Sequence, residues 1–163
     1  MTIRNATPLV LAGLLAAGAA GAEPATLATK QLSLDAALKM AQGAVLACRA
    51  KGIQVGVTVV DRSGTPQVML RDSLAPPITE TISRMKAVTA VNFTAPTSAL
   101  SGRADTPIGR VPGLVMAAGG IPVAVAGAVV GAVGVSGAPD GATDEECAAK
   151  GVKPVLEEIE LGG

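Results

Sequence analysis

Residues 119–137, GGIPVAVAGAVVGAVGVSG, constrain this chain more than any other stretch. Two runs of small and β-branched residues flank Ala126-Gly127, where a two-residue hairpin turn belongs and the glycine supplies a positive φ. The spacing predicts strands over 121–126 and 128–136, with a third short strand over 114–118 just before them. Glycine and alanine at this density let a helix or a second subunit approach the sheet closely.

The rest of the chain alternates in the same plain way. A helix is expected over 34–51, with Ser33 as its N-cap and Leu34, Leu38, Ala41 and Val45 at helical spacing, ended by Gly52. Residues 53–60 and 66–71 read as a hairpin around the turn Asp61-Arg62-Ser63-Gly64. A second helix is expected over 78–93, with Ile78, Ile82, Met85 and Thr89 sharing a face. A Pro/Gly/Thr/Ser-rich crossing with one helical turn near Thr97–Leu100 follows. The last helix is expected from Thr143, broken at Gly151–Pro154 before 155–160. The order is α-β-β-α-β-β-β-α. Adjacent strands without crossovers pair antiparallel, so the fold class is α+β: a profilin-like five-stranded antiparallel sheet with helices packed on it.

At 163 residues, the chain makes one domain. Its N-terminus reads as a secretory signal peptide: Arg4, an apolar run over 8–19, then Ala20-Gly21-Ala22 as a cut site. The expected organisation is a signal peptide over 1–22 and one domain over 23–163, periplasmic or secreted, with no membrane span once the leader is removed. Lys plus Arg and Asp plus Glu number 13 each, and Phe93 is the only aromatic residue. Neither a basic surface nor a stacking platform for nucleic acid is available.

Export changes the reading of Cys48 and Cys147, the only two cysteines. An even count in an oxidising compartment points to a disulfide, with two buried thiols as the alternative. Neither a C-x-x-C pair nor any histidine accompanies them, so zinc and thioredoxin-type chemistry have no support.

Four residues stand out as candidate ligand contacts. Lys86, in mid-helix, is placed either to pair an anionic group in a pocket or to face solvent. Arg71 and Asp72 end a strand at a loop, where they would meet a ligand or form an ion pair with each other. Thr89 would contact a ligand or bond its own helix backbone. Arg84 reads as surface. No G-x-S-x-G, dinucleotide fingerprint or catalytic histidine is present.

Four blocks carry a resemblance that spans nearly all of 23–163. GVTVVDRSGTPQVMLRD, SRMKAVTAVNFTAPTSAL, VPGLVMAAGGIPV and GAVVGAVGVSGAPDGATDEECAAKG are similar, in order and spacing, to those of the GlcG/HbpS family of haem-binding proteins. The resemblance implies binding of haem or a related tetrapyrrole in sensing, storage or protection, and a homo-oligomer. Lys86, Arg71, Asp72 and Thr89 are then cofactor contacts. The chain departs from that pattern in having no histidine to ligate iron. Ala126 stands where the family has a turn aspartate. The one E-x-x-E spacing, Glu157 to Glu160, reads as a solvated helix face and not as an iron site. Two other readings stand beside haem binding: an oligomeric scaffold or accessory subunit without haem, and an enzyme acting on a small anionic substrate through Lys86 and the Arg71–Asp72 corner.

Overall fold

The structure, a computed structural model, describes residues 25–162, so the expected signal peptide lies outside the described residues. The hairpins fold as expected. β1 (Gly56–Asp61) pairs antiparallel with β2 (Pro66–Arg71), and β3 (Gly120–Val125) with β4 (Ala128–Ser136). β4 also pairs with β1, giving one sheet of four strands in the order β2-β1-β4-β3. Asp61 closes the first turn by accepting the Ser63 and Thr65 amides, at 2.8 and 2.9 Å. In the second turn Ala126 and Gly127 both adopt positive φ, 50° and 79°. Both outer strands are irregular: β2 starts with Pro66 and slips register beside it, and β3 carries Pro122 and slips after Val123.

The fifth strand expected over 114–118 does not form; the sheet has four. Its backbone finds other partners. The Val115 amide donates to the Thr89 hydroxyl at 2.9 Å, and Leu114 closes a turn back to Val111. The segment therefore crosses the end of a helix instead of joining a ladder. Two 3₁₀ segments, Thr97–Arg103 and Pro107–Arg110, precede it.

Three helices cover the sheet. α1 (Leu34–Arg49) is capped by Ser33, whose hydroxyl accepts the Ala36 amide at 3.2 Å. α1 and α3 (Gly141–Gly162) lie on one face over Val57, Val59, Val133 and Val135. α2 (Ile78–Phe93) lies on the other, over Val60 and Ala132. The alternation along β1 and β4 is what separates these two layers. α2 rides so low that a Cβ on Gly134 would meet the Ser83 carbonyl.

Two expectations about the helices are corrected. Of the expected Ile78/Ile82/Met85/Thr89 face of α2 only Thr89 is buried: Ile78 is exposed and Ile82 and Met85 are half-buried, while Thr79, Ser83, Lys86, Ala87 and Ala90 face the sheet. A glycine-rich sheet surface favours short side chains at the contact, and polar ones are paired there; Thr58 and Ser83 share a hydrogen bond of 2.8 Å. α3 also runs unbroken through Gly151 and Pro154. Gly151 is there because α1 crosses it: its Cβ would strike Met40 and Ala44, and Gly43 lies opposite. One turn earlier Cys147 bonds Cys48 across the same crossing, with Cα atoms 5.5 Å apart. Among the described residues no helix is long and apolar enough to cross a membrane.

Candidate functional site

The four residues singled out from the sequence do not form one site. Lys86 projects from the buried face of α2, and its ammonium donates to Asp144 Oδ2 at 2.7 Å. Both side chains are almost completely enclosed, at 5% and 4% exposure. Asp144 sits in the first turn of α3, and its Oδ1 accepts the Ala138 amide at 2.9 Å. Burial pushes the Asp144 carboxyl above its ordinary value, against the opposing pull of Lys86 and of that amide. Lys86 therefore meets neither a pocket anion nor solvent; its partner is internal. A lysine on the inward face of a helix requires a buried anion, and the sequence offered Asp144 within the fourth block.

Thr89 is fully buried and donates to the Met85 carbonyl at 2.8 Å while accepting from Val115. It holds the 114–116 segment on α2. Next to this knot Glu145, which the sequence reading passed over, accepts from the Ser98 amide and hydroxyl and from the Gly119 amide. These bonds pin α3 to the loop crossing. Lys86, Asp144, Thr89 and Glu145 thus each bond within the protein, joining α2, α3 and the loop crossing.

Arg71 and Asp72 do not pair with each other; each has a partner on a different helix. Neighbours at a strand end point to opposite faces. Arg71 turns toward α2, bonding Glu80 at 2.7 Å and the Ala75 carbonyl at 2.6 Å. Asp72 turns toward α1 and takes a two-pronged grip from Arg49: Nε to Oδ2 at 2.8 Å and Nη2 to Oδ1 at 2.6 Å. The Arg49 guanidinium holds the Asp72 carboxyl below its ordinary value, and Asp72 raises Arg49 in turn. Arg49 was not anticipated; its place in the last turn of α1 was the available signal.

That corner opens on a cleft between α1 and β2, lined by Gln42, Val45, Leu46, Arg49, Leu70, Arg71 and Asp72. Its volume of ≈ 390 Å³ is within the range of small-ligand sites, roughly 300–1,000 Å³. One wall is aliphatic and the rim is cationic. Arg49 uses two of its nitrogens on Asp72, leaving Nη1 free for an anion. The donor set suits the carboxylate edge and flat face of a porphyrin but supplies no axial nitrogen or sulfur. The chain has no histidine, the two cysteines are bonded to each other, and no methionine lines the cleft. Glu157 and Glu160 are exposed on α3, and among the described residues no group of His, Cys, Asp and Glu is arranged to hold a metal ion.

A double mutant of HbpS from Streptomyces reticuli is 37% identical, with 93% of this chain and 98% of that one covered and a TM-score of 0.77. A second HbpS crystal structure is 40% identical over 80% of this chain and 94% of that one, with a TM-score of 0.76. The PduOC–haem complex shares the fold, with a TM-score of 0.70 at 24% identity over 76% and 94% of the two chains. No curated protein matches significantly. The family model described as haem degrading protein HbpS-like matches residues 32–153, and the chain accordingly belongs to the HbpS-like family.

Proposed function

We propose that this protein is an exported, self-associating binder of haem or a related tetrapyrrole, serving in sensing, storage or protection, and that the α1–β2 cleft is its site. The observation that carries the reading is membership of the HbpS-like family across residues 32–153. The PduOC–haem complex adds that this fold can hold haem. Within the cleft, Val45, Leu46 and Leu70 offer the ring an aliphatic wall, and Arg49 and Arg71 stand at the rim for its carboxylates. When bound, haem supplies redox-active iron; the chain binds and orients the ring and shields one face from water. Lys86 and Thr89 are structural in this reading.

A haemin titration of wild type, Arg71→Ala and Arg49→Lys tests it. A charge-assisted bond is worth roughly 1.5–3 kcal/mol when shielded. Arg71 is shared with Glu80 and partly exposed, so the expected loss is nearer about tenfold in affinity. With no strong-field donor lining the cleft, the bound ferric haem should give a high-spin spectrum. Equal affinities for all three proteins would remove the cleft from the site. Absence of a saturable Soret change in wild type would remove haem as the ligand.

A further inference from the structure

The outer face of α1 carries a pattern that reads the same in both directions by charge and polarity. Asp35, Leu38, Gln42, Leu46 and Arg49 are all exposed. At 100° per residue they occupy an arc of about 80° on the helix. Their order is acid, leucine, glutamine, leucine, base. The leucines are a conspicuous choice for a solvent-facing surface: Leu38 is 37% and Leu46 59% exposed, and Leu34 beside them is 61% exposed. Asp35 makes no ion pair among the described residues.

We propose that this face docks against the same face of a second copy of the chain, with the two α1 helices antiparallel about a twofold axis at Gln42. That register is self-complementary, as an isologous contact requires. Asp35 meets Arg49 of the partner subunit, Leu38 meets the partner's Leu46, and Gln42 meets its own counterpart. Asp72 takes only Nε and Nη2 of Arg49, so Nη1 keeps two N–H groups, one for Asp35 of the partner subunit and one for an anion in the cleft. A parallel arrangement would set Asp35 against its own copy and Arg49 against its own, a like-charge clash at both ends. The sheet offers no competing route, since both outer strands carry a proline and a register slip. Gln42, Leu46 and Arg49 also line the α1–β2 cleft. The partner helix would roof that open cleft, so the site is incomplete in a single copy.

The inference rests on the self-association proposed above and not on the identity of the ligand. Gln42→Cys is the direct test, because the native cysteines are already bonded to each other. In the antiparallel register residue 42 lies on the axis, so mild oxidation should join most of the Gln42→Cys protein into covalent dimers. Lys153→Cys, on the exposed side of α3, should not cross-link. Asp35→Arg added to Gln42→Cys should cut the dimer yield about tenfold, by setting like charges face to face. Light scattering on wild type separates this interface from assembly as such. A multimer whose Gln42→Cys form fails to cross-link would overturn this interface while leaving assembly standing. A monomer at micromolar concentration would overturn both. Equal cross-linking of Gln42→Cys and Lys153→Cys would also overturn the assignment, as random collision.

Discussion

Replacing Asp144 by asparagine should be among the most damaging single-atom changes available to this protein. Asparagine keeps the Oδ1 acceptor used by the Ala138 amide, so that bond at 2.9 Å survives. What changes is the atom facing Lys86, where an amide nitrogen replaces the carboxylate oxygen at 2.7 Å. The ammonium is then left in a site where its side chain is 5% exposed, with no counter-charge. Breaking one half of a buried pair costs about 3–5 kcal/mol. For a domain of this size each kcal/mol moves Tm by about 2–4 °C, so a fall of about 6–20 °C is expected. Adding Lys86→Met removes the stranded charge while keeping the length of the side chain. The double variant should recover most of the loss and melt well above Asp144→Asn alone. Thermal unfolding followed by circular dichroism measures all three proteins. A double variant no more stable than Asp144→Asn, or a single variant that melts with wild type, would refute the idea that charge burial governs this junction. Haemin affinity per folded molecule should not change in either variant, because the pair lies outside the cleft.

Three further outcomes follow from other parts of the fold. Cys48→Ala/Cys147→Ala opens a loop spanning a sequence separation of 99 and should cost up to about 4–5 kcal/mol; native protein should show no alkylatable thiol by intact mass until reduced. Gly151→Ala forces a methyl against Met40 and Ala44 of α1, an overpacking expected to cost about 1–3 kcal/mol in chemical denaturation. On the acid side, Glu146 is lowered from 4.5 to about 2 by Lys150 and Lys51, and Asp72 is lowered by Arg49. In both cases the unfolded chain binds protons more readily, so stability is complete above the unfolded value and is lost as pH falls through the folded one. Glu146→Gln should therefore flatten the Tm profile between pH 4.5 and about 2; an unchanged slope would deny the ion pairs that role.

The hairpins, the cap at Ser33, the bounds of α2 and the cysteine pairing were legible because each depends on residues near in sequence or on a forced choice. The 114–118 segment was misread because Leu-Val-Met-Ala-Ala has strand character, yet Thr89, 26 residues earlier, captures its amide. The face of α2 was misread for a similar reason. Periodicity favours the side with Ile78, Ile82 and Met85, but a sheet surfaced with glycine and alanine admits the helix on its short-chain side. Pro154 suggested a broken last helix, yet α3 continues through it. The candidate site suffered most. Lys86 was read as facing a pocket anion or solvent, and Arg71 and Asp72 as meeting a ligand or each other, whereas Asp144, Glu80 and Arg49 reach them from other elements. Long-range ion pairs leave no periodic trace.

The irregular outer strands bear on life at high concentration. A sheet that ends in regular, unpaired backbone is an open template, and each molecule that docks there presents the same template to the next. Here one rim begins with Pro66 and a slip in register, and the other is interrupted by Pro122 and a slip after Val123. Neither rim can pass on an unbroken ladder of hydrogen bonds. A second copy that approached either rim would therefore find only short runs of backbone to pair with.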